Sequence, residues 1–221
     1  TMRVVLLLVS AMLICAASGL PVGEENDPTP PVWKSFKVPI EQTLRIGLKT
    51  WRSNFTYYYD AVHNLSKAVH AKGQHDEYCT SLVGKTKSDE PCTHLVAADG
   101  WRYLEFPESN LCCKCCNVSM SCGIIAPTWL DGASYVGQKT INGILCNGWM
   151  KQGGEKNYYY ATADSAQKPC MYYEGYPKLI IGKNEWLYDT AAYEEQPQAA
   201  SVFTVPSGCN QRCDSHLCDV A

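Results

Sequence analysis

The residues best equipped for chemistry lie in one stretch, 111–123 (LCCKCCNVSMSCG), which places Cys112, Cys113, Cys115, Cys116 and Cys122 within eleven positions. Thiols so spaced could ligate a metal, act as nucleophiles or be oxidised in pairs. The C-x2-C and C-x3-C spacings are compatible with zinc thiolates, yet structural zinc sites usually combine two separated couples, often with His. The other cysteines are Cys15, Cys79, Cys92, Cys146, Cys170, Cys209, Cys213 and Cys218. Cys15 falls in an amino-terminal run that reads as an export signal, which leaves twelve, an even number. Such a count behind a signal reads as a disulfide framework of up to six bridges. Neighbouring cysteines such as Cys112 and Cys113 seldom bridge each other, because a bridge sets its Cα atoms about 5.5 Å apart. The cluster is therefore expected to tie distant parts of the chain to one point. Cys79 with Cys92 could close a local loop, and Cys146, Cys170 and the tail cysteines are candidate partners. As many as five bridges are expected to converge on the cluster, with the pairing left open.

Other reactive constellations are thin. His63, His70, His75, His94 and His216 are scattered without a metalloprotease spacing, and are expected on exposed strands or loops. Gly153-Gly154 lacks the strand–helix setting of a phosphate loop, and no nucleophile elbow is present. The acidic pairs Glu24-Glu25, Asp89-Glu90 and Glu194-Glu195 sit in polar loops and read as solvated. EF-hand spacing is absent. No catalysis is expected.

The elements that would position these groups begin after residue 19. Arg3, an apolar run over 4–15 and small residues at 16–19 have the layout of a secretory signal. The run is shorter than the roughly 20 residues a bilayer span needs. No later segment is as apolar, so no transmembrane segment is expected in the mature chain. Beyond residue 19 there are 18 basic and 22 acidic residues, a net charge of −4 without a basic block, which argues against nucleic-acid binding. Residues 20–31 form an extended, Pro-rich arm, and 32–221 a single β domain ending in a cysteine-rich tail, 206–221. The sequons at Asn54, Asn64 and Asn117 mark glycosylation positions at the surface of an exported chain.

The fold class read from the pattern is all-β: a single curved antiparallel sheet of about ten strands, half-barrel or sandwich-like, disulfide-rich. Residues 32–40 make a first strand, placed at an edge because Pro39 cannot donate to a ladder. Residues 54–60 alternate and pair with 65–71 in a hairpin, preferred over a helix across 60–71. Two strands flank the Asp99-Gly100 turn, and two more flank Asn142-Gly143, the preferred pair for a type I′ hairpin. Further strands fall at 157–163, 169–173, 179–181 and 202–205, with 186–193 unassigned and 196–200 a loop.

Four pieces together resemble a known family: CCKCC through CG (112–123), PTWLDGASYVGQKTINGILCNGW (127–149), NYYYAT (157–162) and VFTVPSGC (202–209). They resemble secreted cysteine-rich proteins of protists, algae and plants related to the ependymins. The resemblance implies a curved sheet similar to that of bacterial lipoprotein carriers, with a concave apolar face that accepts a lipid, a fatty acid or another hydrophobic molecule. It also implies a secreted or cell-surface location, a homo-oligomer and an association with calcium. Calcium rests on the resemblance alone, with no residue assigned, and no other cofactor is expected. Candidate pocket residues are Phe55, Tyr57, Tyr59, Trp101, Tyr103 and Trp149. The competing reading is a structural subunit of an extracellular or cell-surface assembly, joined through an edge strand or the amino-terminal arm.

Overall fold

The computed structural model describes residues 27–73, 76–82, 86, 89–175 and 182–219. The signal over 1–19, residues 20–26 of the arm and the strand expected at 179–181 lie outside the described residues. Among the described residues, twelve strands form one antiparallel sheet: β1 (Phe36–Ile46), β2 (Lys49–Asp60), β3 (Leu65–His70), β4 (Cys92–Val96), β5 (Trp101–Phe106), β6 (Leu111–Asn117), β7 (Ser134–Ile141), β8 (Ile144–Gln152), β9 (Lys156–Thr162), β10 (Pro169–Gly175), β11 (Gly182–Tyr188) and β12 (Glu194–Glu195). A short helix, α1 (Glu77–Thr80), lies between β3 and β4. The order is β6-β5-β4-β3-β2-β1-β11-β10-β9-β8-β7, with β12 also pairing β1. Two meanders, β1–β6 and β7–β11, are thus joined along β1 and β11.

Turn chemistry fixes the hairpins. Asn142 (φ 49°) and Gly143 (φ 80°) both adopt the left-handed region that a type I′ turn requires. Gly100 (φ 78°) closes the β4–β5 turn in the same region. Residues 54–60 and 65–70 pair as a hairpin, with Phe55 opposite His70 and Asp60 opposite Leu65. The unassigned stretch at 186–193 begins inside β11, which sits mid-sheet beside β1.

The first strand is central, not an edge. β1 pairs β2 on one side and β11 and β12 on the other. Pro39 is accommodated because its carbonyl, and hence its nitrogen, faces the side on which β12 ends at Lys37 and β11 begins at Ile40. Asp189 N donates to the Pro39 carbonyl at 2.9 Å in that gap. No ladder donor is needed from residue 39. The strand expected at 202–205 is instead a 3₁₀ turn (Ala200–Phe203). It crosses the face of strands whose edges are already paired, anchored by buried Phe203 against Leu65, Leu95 and Tyr103.

The sheet curls around one face. Residues 118–133 run from edge strand β6 to the opposite edge strand β7, across eleven strands. A flat sheet of that width would be ~48 Å across, close to the full reach of 16 extended residues, ~55 Å. The connector nevertheless includes a 3₁₀ turn (Val118–Met120) and a series of turns at 127–132, so the edges must approach each other. Phe36, Val38 and Ile40 of β1, Phe55, Tyr57 and Tyr59 of β2, Trp149, Tyr159, Tyr172 and Tyr188 fill this inner face. Trp33, in the short segment that continues the arm into β1, and Leu130 from the connector close it.

The cysteine cluster is a sealed sheet edge. β6 alternates its side chains, so Cys112 packs on the outer face with Tyr103, and Cys113 on the inner with Leu104. The tail is clamped from both faces by Cys112–Cys209 and Cys113–Cys213, and again by Cys115–Cys218. Between the clamps the tail adds main-chain pairs to β6: Lys114 N to Gln211 O and Cys213 N to Lys114 O, both 2.8 Å. An otherwise bare edge, which would invite pairing with another chain, is thereby covered. Cys116 bridges Cys122 locally, so four bridges meet at the cluster rather than five. Cys79 pairs Cys92, and Cys146 pairs Cys170 across β9 instead of reaching the cluster.

Candidate binding sites on the two faces

The six aromatic pocket candidates divide between the faces. Phe55, Tyr57, Tyr59 and Trp149 point into the inner face, where all four are buried. Trp101 and Tyr103 lie on the outer face, one strand position out of phase, beneath the tail. Arg212 stacks over Trp101 at 4.8 Å. Trp33 is the centre of the inner cluster, edge-on to Phe36, Tyr59 and Trp129 at 5.4–5.9 Å and 5.6 Å from Tyr159. The arm reaches this depth because Trp149 Nε1 donates to Pro28 O (2.9 Å) and Trp33 N to Pro127 O (2.9 Å). Over 27–31 the arm has no regular secondary structure and is held down. Most of the concavity is therefore filled by the protein's own rings.

Among the spaces left on the inner face is a pocket of about 160 Å³ at its β1–β5 end. Its wall is polar. A chain of side chains crosses the strands from Glu174 (β10) through Asn184 (β11), Gln42 (β1) and Ser53 (β2) to His70 (β3). Asn184 Nδ2 donates to Glu174 (3.4 Å), Gln42 Nε2 to Asn184 (3.0 Å) and Ser53 Oγ to Gln42 (3.3 Å), while Ser53 Oγ lies 3.5 Å from His70 Nδ1. Beyond His70 stand Asp76 and His94. Asp76 Oδ2 is 3.7 Å from His70 Nε2, and Asp76 Oδ1 is 2.8 Å from His94 Nε2. Asp76 is the amino-terminal cap of α1, its Oδ1 accepting from Cys79 N at 3.0 Å. The Cys79–Cys92 bridge ties that helix to β4, which carries His94.

Burial is the largest influence on both ionisable groups that shift here. It holds His70 down to about 4, against the pull of Asp76. Burial opposes ionisation of Asp76, but His94 and His70 and the Cys79 amide outweigh it and lower its pKa well below the usual carboxylate value. The site is thus a buried carboxylate between two imidazoles, His70 being neutral at physiological pH. Ser53, His70 and Asp76 have the residue types of a hydrolytic triad. Their separations exceed the 2.6–3.2 Å of a working proton relay, and the Ser53 hydroxyl is turned to Gln42 and buried.

Histidines expected at the surface are here in the interior. His70 (2 % exposed) and His94 (9 %) are buried, whereas His63 is exposed and pairs with Asp60 at 2.8 Å. The signal was strand parity. Ser66, Ala68 and His70 share a face with Cys92, His94 and Val96 through the β3–β4 register, so a histidine follows the buried positions on both strands.

The outer face carries a larger depression of about 620 Å³. Val69, Leu187, Ile141, Ile144 and Ala191 supply apolar walls, and Glu41, Asn54 and Thr56 polar ones. The tip of the β7–β8 hairpin forms one side, held by the buried group of Ile141, Cys146, Cys170 and Met171. Of the sequons, Asn64 is exposed in the β2–β3 turn at φ 57°. Asn54 is exposed on β2 and lines the outer groove. The Asn117 side chain is engaged with its own sequon, accepting from Ser119 N (3.1 Å) and Oγ (2.7 Å).

A family model described as a domain of unknown function (DUF8395) matches residues 102–202. The match is just under half of the chain. It runs from β5 through β12 and leaves out β1–β4. No curated protein matches in sequence. Among solved structures, an uncharacterized conserved protein from Thermus thermophilus is similar with a TM-score of 0.48 at 7% identity, over 81% of this chain and 91% of that one. A putative outer membrane lipoprotein-sorting protein domain from Vibrio parahaemolyticus gives 0.35 at 8% identity, over 76% and 87%. A DUF1329 family protein from Desulfovibrio piger gives 0.29 at 8% identity, over 77% and 90%.

Proposed function

We propose that the mature chain is an exported, N-glycosylated, ependymin-like binding protein that carries a hydrophobic small molecule, a lipid or fatty acid, and performs no catalysis. The observation that carries this reading is the outer groove. Its volume of about 620 Å³ lies within the roughly 300–1,000 Å³ of small-molecule sites, and its walls combine branched aliphatic side chains with a few polar groups. The filled inner face moves the ligand seat from the concave side to the groove between β1–β3 and the β7–β8 tip. The signal-like residues 1–19 and six disulfides support export to an oxidising compartment.

The test is native mass spectrometry of protein secreted from a eukaryotic host, before and after organic extraction, with titration of cis-parinaric acid into the extracted protein. The reading expects an extractable lipid mass, saturable probe binding, and loss of that binding in Leu187→Glu. Lipid-free monomer that fails to bind the probe would overturn it. A lipid-free multimer would favour an assembly subunit instead. One observation supports that second reading: β7 is a sheet edge, with Val136 exposed in its bulge between Tyr135 and Gly137 and Leu145 of β8 exposed near the hairpin tip.

A further inference from the structure

We propose that His70, Asp76 and His94 form a binding site for a divalent transition-metal ion, with zinc as the ion their donor set fits. One ligand atom from each of the three lies within 4.8 Å of the others. Two of the contacts, 2.8 Å and 3.7 Å, bracket the ~3.3 Å edge of a tetrahedron built on zinc distances of about 2.0–2.1 Å to nitrogen and oxygen. Two imidazoles and one carboxylate are the donors of open zinc sites, which leave a further position to water or ligand. The pocket of about 160 Å³ that these three residues line provides space for it. Nitrogen donors also exclude calcium as the preferred ion, since calcium takes six to eight oxygens.

Two of the donors, Asp76 and His70, are fixed before any ion arrives. Asp76 is locked by its capping bond to Cys79 N (3.0 Å) and by the Cys79–Cys92 bridge beneath it. His70 stacks on Phe55 at 4.6 Å. Its Nδ1 faces Ser53, the end of the polar chain from Glu174, so Nε2 is the nitrogen presented to Asp76. Metal-ligating histidines are oriented by such a contact on the other ring nitrogen. Charge points the same way. Asp76 is 7 % exposed, and a buried carboxylate needs a compensating cation. Arg102 lines the same pocket, but its guanidinium stacks on Tyr78 at 4.7 Å and donates to the carbonyls of Cys122 and Gly123 at 3.5 Å. Arg102 Nε and Trp186 Nε1, both from pocket-lining residues, are buried without a hydrogen-bond partner. They are donors for whatever occupies the space next to the ion. Cys79 and Cys92 also stand beside His94, but as a disulfide they offer no thiolate.

The experiment uses the full secreted chain with its disulfides intact, stripped with chelator and dialysed against zinc chloride. Metal content by plasma mass spectrometry is expected at about one zinc per chain, and a chromophoric chelator competes for it. His70→Gln and His94→Gln should each weaken zinc at least about tenfold, while His63→Gln, at the exposed histidine, should change nothing. Folded wild-type protein that retains no zinc above the dialysis background overturns the proposal, as does unchanged affinity in both variants. Should the variants fail to fold, the wild type decides through the nitrogen-15 resonances of its histidine rings. Zinc-dependent shifts at His70 and His94 uphold the site, and their absence refutes it. Lipid binding in the outer groove is independent of either result.

Discussion

Removal of the tail clamps one at a time, and then together, separates the entropic role of the cysteine cluster from its packing. The bridges Cys112–Cys209, Cys113–Cys213 and Cys115–Cys218 each close about a hundred residues of chain, with separations of 97, 100 and 103. A bridge closing ~100 residues on its own restricts the unfolded chain by ~4.7 kcal/mol. The three loops overlap with adjacent ends, however. With Cys112–Cys209 intact, Cys113–Cys213 closes only the short circuit through its neighbour, about five residues, for which the same relation gives ~2 kcal/mol. Replacing any one pair by alanines should therefore cost about 2 kcal/mol of chain entropy. Replacing all three should cost about 9 kcal/mol, of the order of a whole domain's stability.

The buried sulfurs also contribute packing, but that loss recurs equally in each single-pair variant and adds in the triple. The diagnostic quantity is the excess of the triple over the summed singles, about 3 kcal/mol from the shared closure. Freeing the tail would further strip Lys114 of its two main-chain partners, Gln211 and Cys213, and expose the β6 edge. The assay is guanidinium and thermal unfolding, both followed by tryptophan fluorescence. Each single-pair variant should melt roughly 4–8 °C lower for its ~2 kcal/mol. A single-pair loss of 4–5 kcal/mol in chain entropy, or a triple variant no worse than the three singles summed, would refute the shared-closure reasoning.

Three further outcomes follow from the same geometry. Trp33→Ala removes the ring shared by Phe36, Tyr59, Trp129 and Tyr159 and should cost ~3–5 kcal/mol in the same assay; a loss under about 1 kcal/mol would mean the arm is not part of the core. In chelator-stripped protein, His70 is held at about 4 against ~6.5 when unfolded, so the unfolded chain gains a proton first. Stability should thus be full above pH 6.5 and fall towards pH 4 by up to ~3 kcal/mol, with protonation of Asp76 adding a loss only at lower pH; His70→Gln should flatten the drop between pH 6.5 and 4, and an unchanged slope would contradict the assignment. Val69→Trp, at the half-buried floor of the outer groove, should abolish cis-parinaric acid binding while changing unfolding free energy by less than ~0.5 kcal/mol; undiminished binding would place the ligand elsewhere.

How much of this was legible in the sequence depends on whether a feature is local. Asn142-Gly143 and Asp99-Gly100 marked their turns because the required backbone angles belong to those residues themselves. The alternation in 54–60 marked β2 because a half-buried strand repeats every two residues. Pro39 misled for the opposite reason. A missing donor is a cost only if a partner strand faces it, and whether β11 and β12 leave a gap there is decided some 150 residues away. The cysteine pairs were legible as a framework and not as a pairing. Cys112 and Cys113 point to opposite faces of an edge strand, and that strand is an edge only because β7–β11 add themselves to β1.

The inner face shows the same limit for function. Phe55, Tyr57, Tyr59 and Trp149 were legible as residues of one apolar surface, but an apolar surface becomes a pocket only where nothing else covers it. Trp33 and Leu130, from an arm and a connector without regular strand pattern, are what cover it. The connector lies there because the chain must return from β6 to β7 across the curled sheet, and the inner face is the shorter way; the arm is held beside it by Pro127 and Trp149. The same curl brings β3 and β4 against α1, where parity alone would place His70 and His94 on a common face but not beside a carboxylate. Asp76 completes the group because a capping residue must point its oxygens back over the helix start, here towards the two imidazoles. A local rule for starting a four-residue helix thus supplies the third member of a site whose other two members are set by long-range register.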